Sequence, residues 1–594
     1  MHGFYGRILV VDLTSQEHTI EAIEDDILQA FLGGKGLGSY LLANRNPPGV
    51  DPLSSANHLV FATGPICGSR IWGSSRYGVF TKSPQTGFYS ESYAGGKAPE
   101  AMDAAGYDAI VIKGRCEKPT VLAIHPEGAL FHDAHGIWGK DTHQTEDEVK
   151  KRFAKTDSKA AKSGAVVIGP AGENQVCFSV IENDYWRSAG RTGAGAVMGS
   201  KRLKAIVFQG DCRRGLADKQ GVEKLARALS KESKSNLQVA AYKTKGTPMM
   251  VEIMNKAGGF PSRYWSEGTC KHWSKISAEA LHRQCDVKPR ACAKCFMACG
   301  RLSMVKEGRH AGLKIEGPEY ETIYAFGGLC AVDSIEEIMY LNDLCDRLGM
   351  DTITAGNLCG MAIEANRREK SDYAVDYGQA EAMAELLRMT ARRQGIGDLL
   401  AKGIKVAAKA WDLEDLAVHV KGLEPAGYDP RVLKGMGLGY AVSDRGACHL
   451  RSTFYKAELS GMIEPETVDG KAALFVDFED RLTLFDTLIL CRFYRDLYPW
   501  QRLCEIVTSV TGLATDETSL KAVSTKISDT VRRYNMQEGL KPQHDRLPKR
   551  LHRESLKSGH ALGEAEINKM VADYYQLRGW DERGCPPSTR SAIS

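Results

Sequence analysis

Cys292-Ala-Lys-Cys295-Phe-Met-Ala-Cys299 packs three thiols into one short segment. The spacing lets a single loop turn all three toward a common point. Thiolates are soft ligands, and three from one loop plus one from elsewhere is how iron–sulfur cubes are held. The order matters, because the reverse spacing would suggest radical chemistry on S-adenosylmethionine. The rival reading is a structural zinc site completed by a histidine or a fourth cysteine.

The texture of the chain differs on the two sides of this segment. Residues 1–210 read as strand-rich, with β-branched runs at Arg7–Leu13, His58–Ala62, Ala109–Lys113, Thr120–Ile124, Ala165–Ile168 and Ala205–Phe208, separated by glycine turns. Few helical patterns interrupt them, Asp25–Leu32 being a short one. After residue 211 helical patterns dominate. Ser334-Ile-Glu-Glu337 resembles a capping box, Ile338, Leu341, Cys345 and Leu348 make one apolar face, and Gly349 closes that helix. Further helices are expected over Ala380–Arg393 and Ser519–Tyr534. The turn-rich run Lys421–Pro430 marks a break, so we divide the chain into 1–210, 211–420 and 421–594. The basic segment Lys541–Lys557 reads as a solvated surface loop.

With 594 residues the chain exceeds a single core, and 43% hydrophobic against 26% charged residues is ordinary for a globular protein. A net charge of +4 and the lack of a basic stripe with interleaved aromatics argue against nucleic-acid binding. No apolar run is long enough for a membrane span, and the N-terminus lacks the features of a secretion signal. Sixteen cysteines without such a signal fit a reducing cytoplasm better than a disulfide framework.

Two common readings of glycine-rich loops fail. Gly33-Gly-Lys-Gly36-Leu-Gly38 follows a helix instead of a strand, so it lacks the context of a dinucleotide fingerprint. Gly95-Gly-Lys97-Ala98 lacks the hydroxyl residue of a phosphate loop. Arg187-Ser-Ala-Gly190-Arg191, continuing through Gly195 and Gly199, could wrap backbone N–H groups and two guanidiniums round an anion, or could simply turn between strands. A related hexapeptide occurs twice, Asp346-Arg-Leu-Gly-Met-Asp351 and Asp486-Thr-Leu-Ile-Leu-Cys491. A carboxylate at a helix end can accept parallel N–H bonds from a pterin-like ring, and Cys491 is a candidate fourth thiolate.

These segments together resemble the tungsten-dependent aldehyde:ferredoxin oxidoreductase family. The likeness runs from Gly6-Arg7-Ile-Leu-Val-Val-Asp12 through Phe31–Gly38, Ala62-Thr-Gly-Pro65, Ser75-Arg76-Tyr77 and Thr81-Lys-Ser-Pro84. It continues through Arg187–Lys201, the cysteine triple, Glu316-Gly-Pro-Glu319-Tyr-Glu321 and both hexapeptides, to Asp444-Arg-Gly-Ala-Cys-His449 and Tyr574–Trp580. The resemblance implies an α+β fold: an N-terminal domain of two β-sheets forming a cofactor base, followed by two mainly α-helical domains. It implies tungsten, or molybdenum, held by two metal-binding pterins, and a [4Fe–4S] cluster on Cys292, Cys295, Cys299 and Cys491. Arg76 would bridge cluster and pterin, and Asp346, Asp351 and Asp486 would grip the pterin rings. Tyr93, Gly95, Arg187, Ser188, Gly190 and Arg191 would cradle the pterin phosphates and a bridging magnesium. The family pattern usually has glycine where Ile489 stands and a smaller polar residue where Tyr93 stands.

The implied reaction oxidises an aldehyde to a carboxylic acid and passes electrons to ferredoxin or a ferredoxin-like iron–sulfur subunit. Glu321 and His449 stand at the family's positions for proton acceptor and carbonyl donor, with Glu319 as the alternative base. Read without the resemblance, the glutamates could be helix caps and the histidine structural. The family also contains low-potential reductases of aromatic acyl thioesters, which is the second reading. A zinc-stabilised scaffold without redox activity is the third. The chain is expected to act as a cytoplasmic protein, with homo-oligomer state open. The role of Cys448 is open too.

Overall fold

A computed structural model describes residues 1–153 and 162–588. Its first part is built on twelve strands: β1 (Arg7–Asp12), β2 (Glu17–Ala22), β3 (Leu59–Ala62), β4 (Tyr77–Lys82), β5 (Tyr89–Ala94), β6 (Ala109–Lys113), β7 (Thr120–His125), β8 (Gly128–Asp133), β9 (Lys162–Val167), β10 (Ile181–Asn183), β11 (Arg187–Ala189) and β12 (Leu203–Gly210). They form two six-stranded sheets, ordered β2-β1-β6-β3-β4-β5 and β11-β10-β9-β12-β7-β8. Each sheet has one parallel pair, β1 with β6 and β7 with β12, among antiparallel neighbours. All six strands expected from β-branched runs are present within a few residues.

The alternation of side chains across each strand explains the packing. Leu9, Val11, Phe61 and Ile112 face the second sheet and meet Leu122, Ile124, Val166 and Phe208, with the Phe61 and Phe208 rings 6.3 Å apart. Ile8, Val10, Val60 and Val111 point the other way, against Leu37, Leu41 and Leu42 of the helix Gly34–Arg45 and Val531 of the helix Glu517–Gln537. Apart from its exposed edge strand β2, the first sheet is therefore buried on both faces.

The helix Gly34–Arg45 is one that the sequence reading missed, as is Thr142–Arg152. Its glycines lower helix propensity, yet they are what allows close approach. A Cβ on Gly34 would run into the carbonyl oxygen of Asp486 and stand 2.7 Å from that of Thr487, and one on Gly64 would stand 2.6 Å from that of Leu488. These glycines seat the base domain against the second hexapeptide.

The later part is mainly helical around a large shared core. Ser334 caps the helix Ile335–Leu348 by accepting from the Glu337 N–H, and Gly349 closes it in a left-handed conformation. Only half of the expected capping box forms, because Glu337 instead pairs with Arg309 and His310. The helices Ala380–Arg392 and Glu517–Gln537 fall where expected. The strands β13 (Cys285–Arg290), β14 (Gly300–Val305) and β15 (Lys314–Glu316) make a small antiparallel sheet that the sequence did not announce. Lys421–Pro430 is irregular, as read, and buried along its whole length. Among the described residues no helix is long and apolar enough to cross a membrane.

Candidate active site and thiol cluster

The cysteine triple occupies the hairpin loop between β13 and β14, closed by the Arg290–Gly300 pair. Lys294 and Ala298 take positive φ, 50° and 44°, which bends the loop back on itself. Cys491 reaches this loop through Gly73. The Cys491 N–H donates to the Gly73 carbonyl at 2.9 Å, and the Gly73 N–H donates to the Lys294 carbonyl at 2.9 Å. Burial first, and then the neighbouring Cys491, push the Cys295 thiol up to about 11. Cys299 is raised well above its ordinary value by burial, then Glu319 and Cys491.

Half-buried thiols that raise one another's pKa favour a cationic centre, since a bound metal deprotonates them. The donor set is all sulfur. Among the described residues no three His, Cys, Asp or Glu side chains converge closely enough to hold a single ion. The all-sulfur donor set suits a thiolate-held centre such as an iron–sulfur cube. Gly95 fits as well: a Cβ there would lie 2.9 Å from the Cys292 sulfur.

Beside the thiols lies a cavity of about 360 Å³, walled by both β-sheets' edges and by the helical part. Arg76, Tyr93, Ser188, Gly190, Arg191, Glu319, Glu321, Asp346, Asp351 and His449 all line it, so ten of the residues singled out above converge on one space. Arg76 joins cavity and thiols, with Nη1 3.9 Å from the Cys491 sulfur and Nη2 donating to the Tyr93 carbonyl at 3.3 Å. Asp351 caps the helix Thr352–Arg367. Asp346 accepts from Asn342 at 2.7 Å, and burial, then Asp343, raises its pKa well above the carboxylate range. Ser188 donates to Glu182 at 2.7 Å.

Arg187 and Asp486 stand behind this lining. Arg187 is ion-paired with Glu316. Asp486 Oδ2 accepts from Arg451 at 2.9 Å and also from Arg492.

Three cavity arginines, Arg445, Arg451 and Arg492, were not picked out from the sequence. The signal was available, since all three sit inside or beside quoted motifs. Arg451 Nε and Nη2, Arg191 Nε and Arg492 Nε are buried without hydrogen-bond partners. Unmade bonds on buried guanidiniums are costly, and several around one cavity fit a polyanionic group such as a pterin phosphate or dithiolene. Cys448, just behind, accepts from Arg445 Nη2 at 3.0 Å and from the Leu450 N–H at 3.4 Å. Burial raises its pKa, but Arg445, Arg451 and Arg191 outweigh that and bring it down to about 6. The surrounding arginines thus favour the Cys448 thiolate.

Glu321 and His449 face each other, His449 Nε2 lying 3.5 Å from Glu321 Oε1. Glu321 Oε2 accepts the Gly427 N–H at 2.9 Å, while Oε1 and His449 Nδ1 have no hydrogen-bond partner. Burial raises Glu321 to about 7 against the lowering by Gly427 and Arg191. Burial, then Arg191 and Arg445, holds His449 well below its ordinary value, so the ring is neutral. It stacks near Tyr428, with centroids 5.9 Å apart. Glu319 points elsewhere, accepting from Thr247 and lying close enough to Cys299 to raise that thiol's pKa.

Two family models match the chain. Residues 8–210 match "Aldehyde ferredoxin oxidoreductase, N-terminal domain", and 224–592 match "Aldehyde ferredoxin oxidoreductase, domains 2 & 3". The tungsten-containing aldehyde ferredoxin oxidoreductase of Pyrococcus furiosus is 34% identical, over 99% of this chain and 98% of its own. That of Thermococcus kodakarensis is 33% identical, over 100% and 98%. The active site complex of benzoyl coenzyme A reductase with 1,5-dienoyl-CoA shares the fold, with a TM-score of 0.84 at 22% identity, over 98% of this chain and 96% of that one.

Proposed function

The chain belongs to the aldehyde ferredoxin oxidoreductase family, and on that premise we propose that it oxidises an aldehyde to a carboxylic acid at the cavity beside the four thiols. The facing pair Glu321 and His449 carries this reading, because one carboxyl tuned near neutrality and one neutral imidazole are what hydration and oxidation of a carbonyl require.

Tungsten bound by two pterins would supply the two-electron acceptor, and a [4Fe–4S] cluster the one-electron outlet. Cys292, Cys295, Cys299 and Cys491 would hold the cluster. Asp346, Asp351 and Asp486 would hold the pterin rings, with Arg76 between pterin and cluster. Arg187, Arg191, Gly95, Gly190 and the backbone at Tyr93 and Ser188 would hold the phosphates and magnesium. Arg451 and Arg492 add charge on the same side.

Glu321 Oε1, free of the Gly427 bond, takes a proton from water as it adds to the aldehyde carbon. Neutral His449 turns an N–H to the carbonyl oxygen and stabilises charge growing there. Tyr428 and Tyr455, stacked 4.2 Å apart, and Phe493 shield this end from bulk water. Aldehyde and water give acid, two electrons and two protons. Ferredoxin, or a ferredoxin-like protein, takes the electrons one at a time.

Anaerobically purified protein should reduce benzyl viologen when given an aldehyde. Failure there, with oxidation of reduced dye by an aromatic acyl thioester instead, would replace this reading by the thioester one.

A further inference from the structure

Accepting the reading above, we propose that the helix Lys219–Glu232 and the adjoining loop Gly68–Trp72 form the docking face for an acidic one-electron carrier protein. A chain of aromatic contacts links the thiol cluster to this face. The Tyr494 hydroxyl is 3.4 Å from the Cys295 sulfur. Tyr494 packs on Phe296 at 4.9 Å, and Phe296 on Trp72 at 5.3 Å. Trp72 is half-buried, and its indole N–H donates at 2.9 Å to the Ala226 carbonyl of the helix. Three rings thus lead from a cluster ligand to this surface.

Cations outnumber carboxylates on the face, which also carries Asp218, Glu223 and Glu232. Val222, Ala226 and Leu229 anchor the helix inward, and Lys219, Lys224, Arg227 and Lys231 stand exposed. Its two carboxylates are already engaged: Glu223 is shared by Arg70 and Arg227 at 3.9 Å each, and Glu232 is held by Arg502 at 3.2 Å. The Arg70 and Arg227 side chains remain 77% and 75% exposed. Lys294, inside the cysteine triple, lies at the same edge, donating to the Gly68 carbonyl at 2.8 Å while ion-paired with Glu100 at 3.3 Å. The whole chain carries a net charge of only +4, so a surplus of cations gathered here is a local field and not a general basicity. Such a field steers an oppositely charged partner and sets its orientation. In each encounter the carrier's centre would gain one electron and the cluster that the four cysteines would hold would supply it, with no proton moved.

The test is calorimetric titration of the anaerobically purified holoenzyme with a purified two-[4Fe–4S] ferredoxin. It compares wild type, the triple variant Arg70→Glu/Lys224→Glu/Arg227→Glu, and a control triple elsewhere on the surface, Lys409→Glu/Lys541→Glu/Arg546→Glu. Binding to the first triple should weaken by about tenfold or more at low salt, with the gap closing at about 0.5 M salt. The control should bind as wild type does, and both should keep wild-type aldehyde-dependent viologen turnover. Equal binding by wild type and the first triple, or equal weakening in both triples, would overturn the docking face. Absence of viologen turnover in wild type would refute the aldehyde reading instead, while the binding comparison would still decide the face.

Discussion

Gly349 and Ile489 close their helices in the same left-handed backbone conformation, φ 78° and ψ 53° at the first, φ 62° and ψ 41° at the second. The two hexapeptides are therefore structural counterparts, each ending a helix whose last turn carries Asp346 or Asp486. Glycine meets this conformation without strain, whereas a β-branched residue does not. Ile489 is nevertheless buried, filling space beside Gly34 and Gly64.

Two terms compete in Ile489→Gly. Relief of the left-handed strain is worth about 1–2 kcal/mol, and loss of a buried isoleucine side chain costs about 2–5 kcal/mol. Packing wins, so the substitution should lower stability by about 1–3 kcal/mol, read by denaturant unfolding. A gain in stability would mean that strain dominates.

Gly73 joins the two halves of the thiol site through its own peptide groups. A side chain there would meet the Tyr494 ring, its Cβ 2.8 Å from Cδ2, at a φ of 84°. Gly73→Ala should therefore separate Cys491 from the hairpin loop and lower bound iron per chain, as Cys491→Ser does by removing a ligand. Iron analysis and electron paramagnetic resonance of the reduced protein read both. Full iron in Gly73→Ala would show that the loop tolerates the shift.

Glu321 is a proton acceptor only when ionised. With its pKa raised from 4.5 to about 7, kcat/KM should fall as pH drops below about 7. Glu321→Gln should abolish that limb and lower kcat about 10²–10⁴-fold. The linkage to folding has the opposite sense: a carboxyl whose folded pKa is raised contributes its stability in full below 4.5, and that contribution is lost as pH rises through about 7. Glu319→Gln should leave the limb in place.

Cys448 is one of the charges that raise Glu321. Removing its negative charge in Cys448→Ser should move the acidic limb of kcat/KM to lower pH. An unmoved limb would show that the thiol is not ionised in the working enzyme.

Much of this was legible in the sequence. The strands β1, β6, β7 and β12 were readable because their β-branched runs face packed layers. Cys491 could be matched to the triple through the hexapeptide ending, and Glu321 and His449 through the motifs around them. Other features were not legible because they depend on contacts distant in the chain. The helix Gly34–Arg45 hides behind glycines that permit close packing, Gly34 against the Asp486 and Thr487 carbonyls and Gly38 against the Phe80 ring. The hairpin carrying the cysteines has only Cys285–Arg290 and Gly300–Val305 as strands, too short and polar to stand out. Arg445, Arg451 and Arg492 stand inside or beside the motifs, but only the fold brings them to one cavity, with N–H groups of Arg451 and Arg492 left unpaired.

The central claim is a redox centre held by four cysteines beside a pterin-bound metal. The most direct measurement is the metal and pterin content of anaerobically purified protein, by mass spectrometry of the metals and fluorescence of the released pterin. About four irons and one tungsten per chain are expected, with pterin present. Zinc alone, with neither iron nor pterin, would contradict it.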